Sequence, residues 1–441
     1  MIAEVLEKEA WIQNRLTDFD PIEKHGRVVR VDGMLVESRG PDVSVGDICE
    51  LKSGRKSAVT MAEVVGFKDE NVLLMPLTDM GDIHPGCLTV HSPGRSQVPC
   101  GPGLLGRVID GQGNPLDGKG PLASSYENRV LNASAPNPMN RPPITEHFDT
   151  GVRSIDTFTS LGIGQRVGIF AGSGVGKSTL LGMMARGSSS DINVIALVGE
   201  RGRELREFIE NDLGEEGLAR SVVVVSTSDH SAPLRIRAAL LATTISESFR
   251  DMGHNVLFMM DSVTRFAMAQ REVGLTVGQP PTSRGYTPSV FALLARLLER
   301  AGRNETGSIT GIYTVLVEGD DMNEPVADAV RGILDGHIVL RRKLAAANHF
   351  PPVDVLDSVS RLTRQICSKE EQALVAEARD LLSLYAQNED LIQVGAYSRG
   401  TQPRLDRAIH LYPQINDVLK QHFSELEDRN QAFGRLKKIL T

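Results

Sequence analysis

The chain has 441 residues, 41% of them hydrophobic and 24% charged, with 56 acidic against 48 basic side chains and a formal net charge of −8. Such a length buries sizeable cores without disulfide or metal support, and about 150 residues per domain suggests roughly three domains. The acidic balance argues against a chain whose overall charge grips nucleic acid or anionic membrane, and no apolar run approaches the roughly 18 residues of a membrane span.

Residues 1–20 have helical spacing, with Val5, Ile12, Leu16 and Phe19 near one face and Glu9 interrupting it. Such a helix either packs on its own domain or docks a partner. No cationic start leads into an apolar stretch, so no secretory signal is expected. Cys49, Cys87, Cys100 and Cys367 fit neither a CxxC pair nor a zinc site. Reduced thiols in a cytoplasmic compartment are the expectation.

Over residues 22–95, short β-rich runs such as 26–31 and 71–75 alternate with turn signals at Asp32-Gly33, Gly40-Pro41, Gly46-Asp47 and Pro93-Gly94. Closely spaced short strands predict a small β-barrel or sandwich. Residues 96–145 are rich in Gly, Pro and Asn and read as a connector. Within them Gly101-Pro-Gly-Leu-Leu-Gly106 matches a dinucleotide-binding spacing. The β-like run 107–110 comes next, where a helix is required, so the match is set aside.

From about 150 to 345, apolar runs at 166–170, 193–198, 221–225, 255–260, 309–317 and 337–340 alternate with helical stretches. That alternation predicts an α/β fold, a mostly parallel sheet covered by helices on both faces. Beyond Pro351 and Pro352 the chain is expected to be helical, with helical spacing over 370–385 and 414–440.

The sharpest motif is Ala171-Gly-Ser-Gly-Val-Gly-Lys-Ser-Thr179, between the strand 166–170 and a helical run at 180–185. This is the setting of a phosphate-binding Walker A loop, with Ala171 where the strict pattern has Gly. Gly172, Ser173, Gly174, Val175 and Gly176 supply the backbone N–H cradle, and Lys177 reaches the β- and γ-phosphates. Ser178 is the candidate ligand of Mg²⁺, and Thr179 is a hydrogen-bond donor for the α-phosphate. The apolar run 256–260 ends in Asp261, which fits a Walker B carboxylate on the same metal. Val198-Gly-Glu-Arg-Gly-Arg-Glu204 comes directly after another strand, so its start arrives at the same sheet edge. Glu200 is the candidate general base or water-orienting residue, with Arg201 beside it as a second catalytic candidate. Alternatively the two form an ordinary ion pair.

Several segments then carry a family resemblance. Gly199-Glu-Arg-Gly-Arg-Glu204, Gly106-Arg-Val-Ile-Asp-Gly-Gln-Gly-Asn-Pro-Leu-Asp117 and Pro351-Pro-Val-Asp-Val-Leu-Asp-Ser-Val-Ser-Arg361 resemble the rotary ATPase catalytic-subunit superfamily. Met260-Asp-Ser-Val-Thr-Arg-Phe-Ala-Met-Ala-Gln-Arg-Glu272 and Tyr313-Thr-Val-Leu-Val-Glu-Gly-Asp-Asp-Met-Asn-Glu-Pro325 are similar to its flagellar type III protein-export branch and the injectisome relatives. The similarity runs from about residue 22 to 400.

The resemblance implies a β-barrel over 22–95, a RecA-like nucleotide domain over 96–365 and a helical domain over 366–441, and the helical spacing ahead of them leaves 1–21 as the expected partner-binding helix. It implies a homo-oligomer, a ring of six identical subunits with sites at the interfaces. It assigns Glu200 as catalytic carboxylate, Arg361 as an arginine finger and Phe350 as the residue stacking on adenine, where family members often carry Tyr. Such a finger stabilises charge on the transferring phosphoryl group and is normally supplied in trans. Glu200 and Arg361 stand in one chain, so a ring of one subunit type can complete every site.

The implied activity is ATP hydrolysis energising export of flagellar proteins, with ATP and Mg²⁺ as ligands. The implied setting is cytoplasmic, peripheral to the export apparatus at the inner membrane. The implied partners are a stator-like regulator, a stalk protein, an export gate and chaperone–substrate complexes, with no nucleic acid. The injectisome version is the near alternative. An RNA-translocating hexameric helicase and a nucleotide-binding scaffold without turnover are the alternatives of other classes. The acidic charge weighs against the first and Glu200 against the second.

Overall fold

A computed structural model describes residues 25–53, 59–93, 97–122, 127–317, 319 and 321–441. The helix expected over residues 1–20 lies outside them. The chain divides into two compact units, Met1–Ser96 and Gln97–Thr441.

In the first unit β1 (His25–Asp32), β2 (Leu35–Arg39), β3 (Ile48–Lys52), β4 (Val59–Lys68), β5 (Asn71–Pro76) and β6 (Leu88–His91) close into a barrel, in the order β1-β2-β5-β4-β3-β6. Alternation sets the register. In β1, Val28 points inward between exposed Arg27 and Val29, and in β2 Val36 and Ser38 point inward. Val28, Val36, Leu51, Val64 and Leu74 fill the interior.

The second unit opens with β7 (Gln97–Cys100), which pairs with β9 (Glu127–Val130). Between them β8 (Arg107–Asp110) departs to join the main sheet. After β10 (His147–Phe148) and its partner β11 (Leu161–Gly162) come β12 (Arg166–Ala171), β13 (Ile192–Glu200), β14 (Ser221–Thr227), β15 (Asn255–Asp261), β16 (Gly302–Arg303), β17 (Ser308–Leu316), β18 (Gly336–Leu340) and β19 (Val353–Ser360). The sheet runs β19-β18-β12-β17-β15-β13-β14-β8, with β16 paired to β17. From β18 to β8 every neighbouring pair along that path is parallel. Eight consecutive residues of β13, Ile192 to Gly199, are buried, as a strand covered on both faces requires.

All six expected strands of this region are present. Two expectations fail. The segment after Pro352 is not helical: Val353–Ser360 is a strand antiparallel to β18. Its Val, Ser and Asp residues are poor helix formers, and pairing with the exposed side of β18 satisfies its backbone. The stretch 414–440 is not one helix either. It holds the end of the helix Pro403–Leu419 and the helix Arg429–Leu440, with a non-helical loop at 420–428 between them. Asp428 caps the second helix by accepting from Gln431 N at 2.9 Å. The connector also contributes β8 as an edge strand, held by Asp117, which accepts from Arg107 Nε at 2.7 Å and Val108 N at 3.0 Å.

The C-terminal region is helical from Lys369. Ser368 and Glu371 form a capping box, and the helix Lys369–Gln393 buries Val375, Ala378, Leu381 and Leu382 on one face. Among the described residues no helix is long and apolar enough to cross a membrane.

Candidate functional site

Strand β12 ends at Ala171, residues 172–176 turn, and a helix runs from Lys177 to Gly187. Gly176 caps that helix in the left-handed region at φ 95°, which a side chain would strain. The turn therefore leaves the first N–H groups of the helix unpaired by side chains, at the end where the helix dipole is positive. Val175 is buried, while Ser173 and Gly174 are exposed and Ser178 and Thr179 half-buried. Arg342 Nη2 donates to the Ser173 carbonyl at 3.1 Å. Thr179 is hydrogen-bonded to Asp212, whose carboxyl burial pushes up.

The carboxyl ends of β12, β15 and β13 deliver Lys177, Asp261 and Glu200 to one place. Lys177 Nζ lies 2.5 Å from Asp261 Oδ1 and 3.8 Å from Glu200 Oε1. Thr314, on the intervening strand β17, donates to Asp261 Oδ1 at 2.7 Å. Asp261 is 3% exposed, and two partners on one oxygen make its burial tolerable. Glu200 differs. Its Oε1 is buried and has no hydrogen-bond partner, since 3.8 Å is too long for one. Burial, followed by the like charge of Asp261, pushes the Glu200 carboxyl up to about 7, against the pull of Lys177. Gly199, at φ 74°, lets the strand kink just before it, and a Cβ there would stand 2.8 Å from Arg265 Cβ.

The structure leaves two sequence candidates outside this cluster. The Arg201 side chain is 82% exposed and pairs with Glu204 at 3.6 Å rather than with Glu200. Arg361 is exposed and donates to the Arg331 carbonyl at 3.2 Å. It stands next to Ser360, which pairs with Gly336 at the start of β18, whereas Leu340 at the far end of β18 pairs with Ala171. Arg361 therefore stands at the opposite edge of its own sheet from the phosphate loop, about 13 Å along the strand.

Phe350 does reach the loop. With Gly176, Met183, Pro352, His422 and Phe423 it lines a cavity of about 240 Å³ that is predominantly apolar. Phe350 is 45% and Phe423 51% exposed, so two aromatic faces stand open beside the loop. Sequence reasoning missed His422 and Phe423 because they fall within the stretch that has helical spacing. It also missed Thr314, although that residue sits inside a recognised motif.

A phosphate loop, an acidic strand end and an adjacent carboxylate on a parallel sheet define a P-loop nucleotide-binding protein. Residues 151–360 match the nucleotide-binding domain of the ATP synthase alpha/beta family, 28–89 its beta-barrel domain, and 367–438 the T3SS EscN ATPase C-terminal domain. The flagellum-specific ATP synthase of Bacillus subtilis is 57% identical over 92% of this chain and 93% of its own length. The type 3 secretion system ATPase of Xanthomonas euvesicatoria is 48% identical over 100% of this chain and 99% of its own. The structure of the assembled ATPase EscN from the enteropathogenic E. coli type III secretion system superposes with a TM-score of 0.89 at 42% identity, covering 94% of this chain and 100% of that one. The chain belongs to the ATP synthase alpha/beta family, in the branch of the flagellum-specific and type 3 secretion ATPases, and is an ATPase of that class.

Proposed function

We propose that the chain hydrolyses ATP at the edge of β12, β15 and β13 to energise export of flagellar proteins, acting as a homo-oligomeric ring. The observation that carries the site is the cluster in which Lys177 Nζ lies 2.5 Å from Asp261 and 3.8 Å from Glu200. The N–H groups of residues 172–178 hold the phosphate chain, and Lys177 leaves Asp261 for the β- and γ-phosphate oxygens. Ser178 and Asp261 are the side chains suited to a magnesium ion. The donor set fits, because a hydroxyl and a carboxylate are the oxygen donors magnesium takes, and Asp261 already holds a cation, the Lys177 ammonium, at 2.5 Å. Magnesium, when bound, neutralises charge on the β- and γ-phosphates.

Glu200 orients the attacking water and takes its proton, a task suited to a carboxyl held near neutrality. Phe350 offers a ring face to the base. Arg361 faces away from its own phosphate loop, which supports its insertion into the site of a neighbouring subunit. Arg201, exposed and paired with Glu204, has no partner in the cluster, and its catalytic part depends on its leaving that pair. One solved relative is described as EscN in complex with its central stalk EscO. On that basis this chain is expected to form a hexamer around a stalk protein. A stator-like regulator, an export gate and chaperone–substrate complexes complete the assembly, on the cytoplasmic side of the inner membrane.

The injectisome reading has support in the 48% identity to the Xanthomonas enzyme. Deleting the gene and scoring filament assembly beside effector secretion separates the two. Loss of filaments with secretion intact supports flagellar use, and the converse overturns it. For the chemistry, Glu200→Gln is expected to bind ATP and turn it over very slowly; near-normal kcat removes Glu200 from its role.

A further inference from the structure

The loop at 420–428 carries one wall of the base cavity, His422 and Phe423, and is fastened to the nucleotide domain by buried polar groups. Gln421 is 4% exposed. Its backbone N–H donates to the Phe350 carbonyl at 2.8 Å, tying it to the opposite wall. Its side-chain Oε1 accepts from Arg153 N at 2.8 Å, and Nε2 donates to the carbonyls of Gly151 at 2.8 Å and Glu425 at 3.0 Å. One N–H partner and two carbonyl partners fix which end of the amide is oxygen.

Arg153, at the start of the helix Arg153–Phe158, adds ion pairs to Glu425 and, at 3.1 Å, to the buried Glu427. Arg186, in the last turn of the phosphate-loop helix, donates to the Phe423 carbonyl at 2.7 Å. The loop is thus locked to the segment before Arg153 and to the helix that leads out of the phosphate loop. Gln421 is the member bonded to both Phe350 and the core, and it has no bond to Lys177, Asp261 or Glu200.

We propose that Gln421 is a positioning residue for the nucleotide base: its side-chain amide anchors the loop 420–428 to Gly151 and Arg153, which keeps its backbone N–H on the Phe350 carbonyl and so sets the gap between the aromatic walls that receive the base. This rests on the reading of Phe350 as a base-stacking residue. A base held by ring faces is sensitive to the spacing of those faces, while the phosphate chain, gripped by backbone N–H groups, is not. Gln421→Leu leaves Arg153 N and the Gly151 carbonyl buried without partners. Gln421→Glu keeps the length and the acceptor but loses both donated bonds.

The test is titration calorimetry of the full chain with MgADP and, separately, magnesium pyrophosphate, which has no base. The wild type, Gln421→Leu, Gln421→Glu and Phe350→Ala are compared. Gln421→Leu and Gln421→Glu are expected to weaken MgADP about tenfold, the worth of one or two hydrogen bonds, and to leave pyrophosphate within about twofold. In steady state the KM for ATP rises with kcat held, a split that general destabilisation does not produce. If Phe350→Ala weakens MgADP and both Gln421 variants leave it unchanged, the base site stands and the positioning role falls. Equal weakening of both ligands by the Gln421 variants also overturns it, as a loss of fold rather than of base register. If Phe350→Ala changes neither ligand, the base-stacking reading itself fails. Gln421→Glu decides the matter if Gln421→Leu does not fold.

Discussion

Lys177 and Asp261 form a direct ion pair, Nζ to Oδ1 at 2.5 Å, with both side chains largely buried. The residue proposed to meet phosphate thus neutralises the carboxylate proposed to meet the metal. Each group keeps the other from standing charged and alone in a poorly hydrated place. On the proposed reading, nucleotide binding exchanges this pair for contacts of Lys177 with phosphate and of Asp261 with the metal.

Removing Lys177 therefore has an effect before any nucleotide binds. Breaking a buried pair from one side costs about 3–5 kcal/mol, here offset in part by the Thr314 hydroxyl that also serves Asp261. Lys177→Ala is expected to lower the Tm of the nucleotide-free protein and to cut kcat by about 10²–10³ or more. Lys177→Ala with Asp261→Asn is expected to regain most of the Tm and none of the turnover. Calorimetry beside a steady-state phosphate-release assay reads both. An unchanged Tm in the single variant would mean the pair contributes nothing to the resting fold.

Glu200 gives a pH signature. Its folded value, about 7, lies above the ordinary 4.5. Above pH 7 the folded state holds an ionised buried carboxylate, whereas below it the folded state binds a proton that the unfolded chain has released. The penalty to stability is therefore full above about pH 7 and fades as pH falls toward 4.5. Glu200→Gln, which stays neutral, is expected to melt above wild type at pH 8 in the absence of nucleotide, with the gap narrowing toward pH 5. Paired thermal scans across that range check it, and a gap independent of pH contradicts the raised value.

The sheet and its loop were legible because their signals are local. Strand β12, the turn at 172–176 and Lys177 are consecutive in the chain, and an apolar run ending in Asp261 marks a second strand without reference to anything distant. The features that stayed hidden depend on partners far away in sequence. Thr314 matters only because β17 lies between β12 and β15. Gln421 reads as helical until it is seen bonded to Gly151 and Arg153, some 270 residues earlier by sequence. Val353–Ser360 became a strand because β18 offered an unpaired edge, a tertiary fact that overrides the helical reading of the segment beyond Pro352. The same pairing carries Arg361 away from the phosphate loop.

That separation leads to a test made on mixtures. Within one subunit Arg361 adjoins the end of β19 that pairs with the start of β18, and the phosphate loop lies at the other end of the strand. If the guanidinium acts in a neighbour's site, Glu200→Gln and Arg361→Ala subunits are each inactive alone, since every interface lacks one partner. A finger in trans is worth about 10³–10⁵ in rate, so both pure assemblies should be nearly silent. Mixed before assembly, they create some interfaces that join an intact Glu200 to an intact Arg361. In a ring with random placement about a quarter of the interfaces are of that kind, and turnover should rise toward that share of wild type. Tagged subunits copurified from the mixture establish that the rings are mixed. Silence in such rings would place Arg361 outside its neighbour's reaction, whereas activity in pure Arg361→Ala rings would remove it from the chemistry altogether.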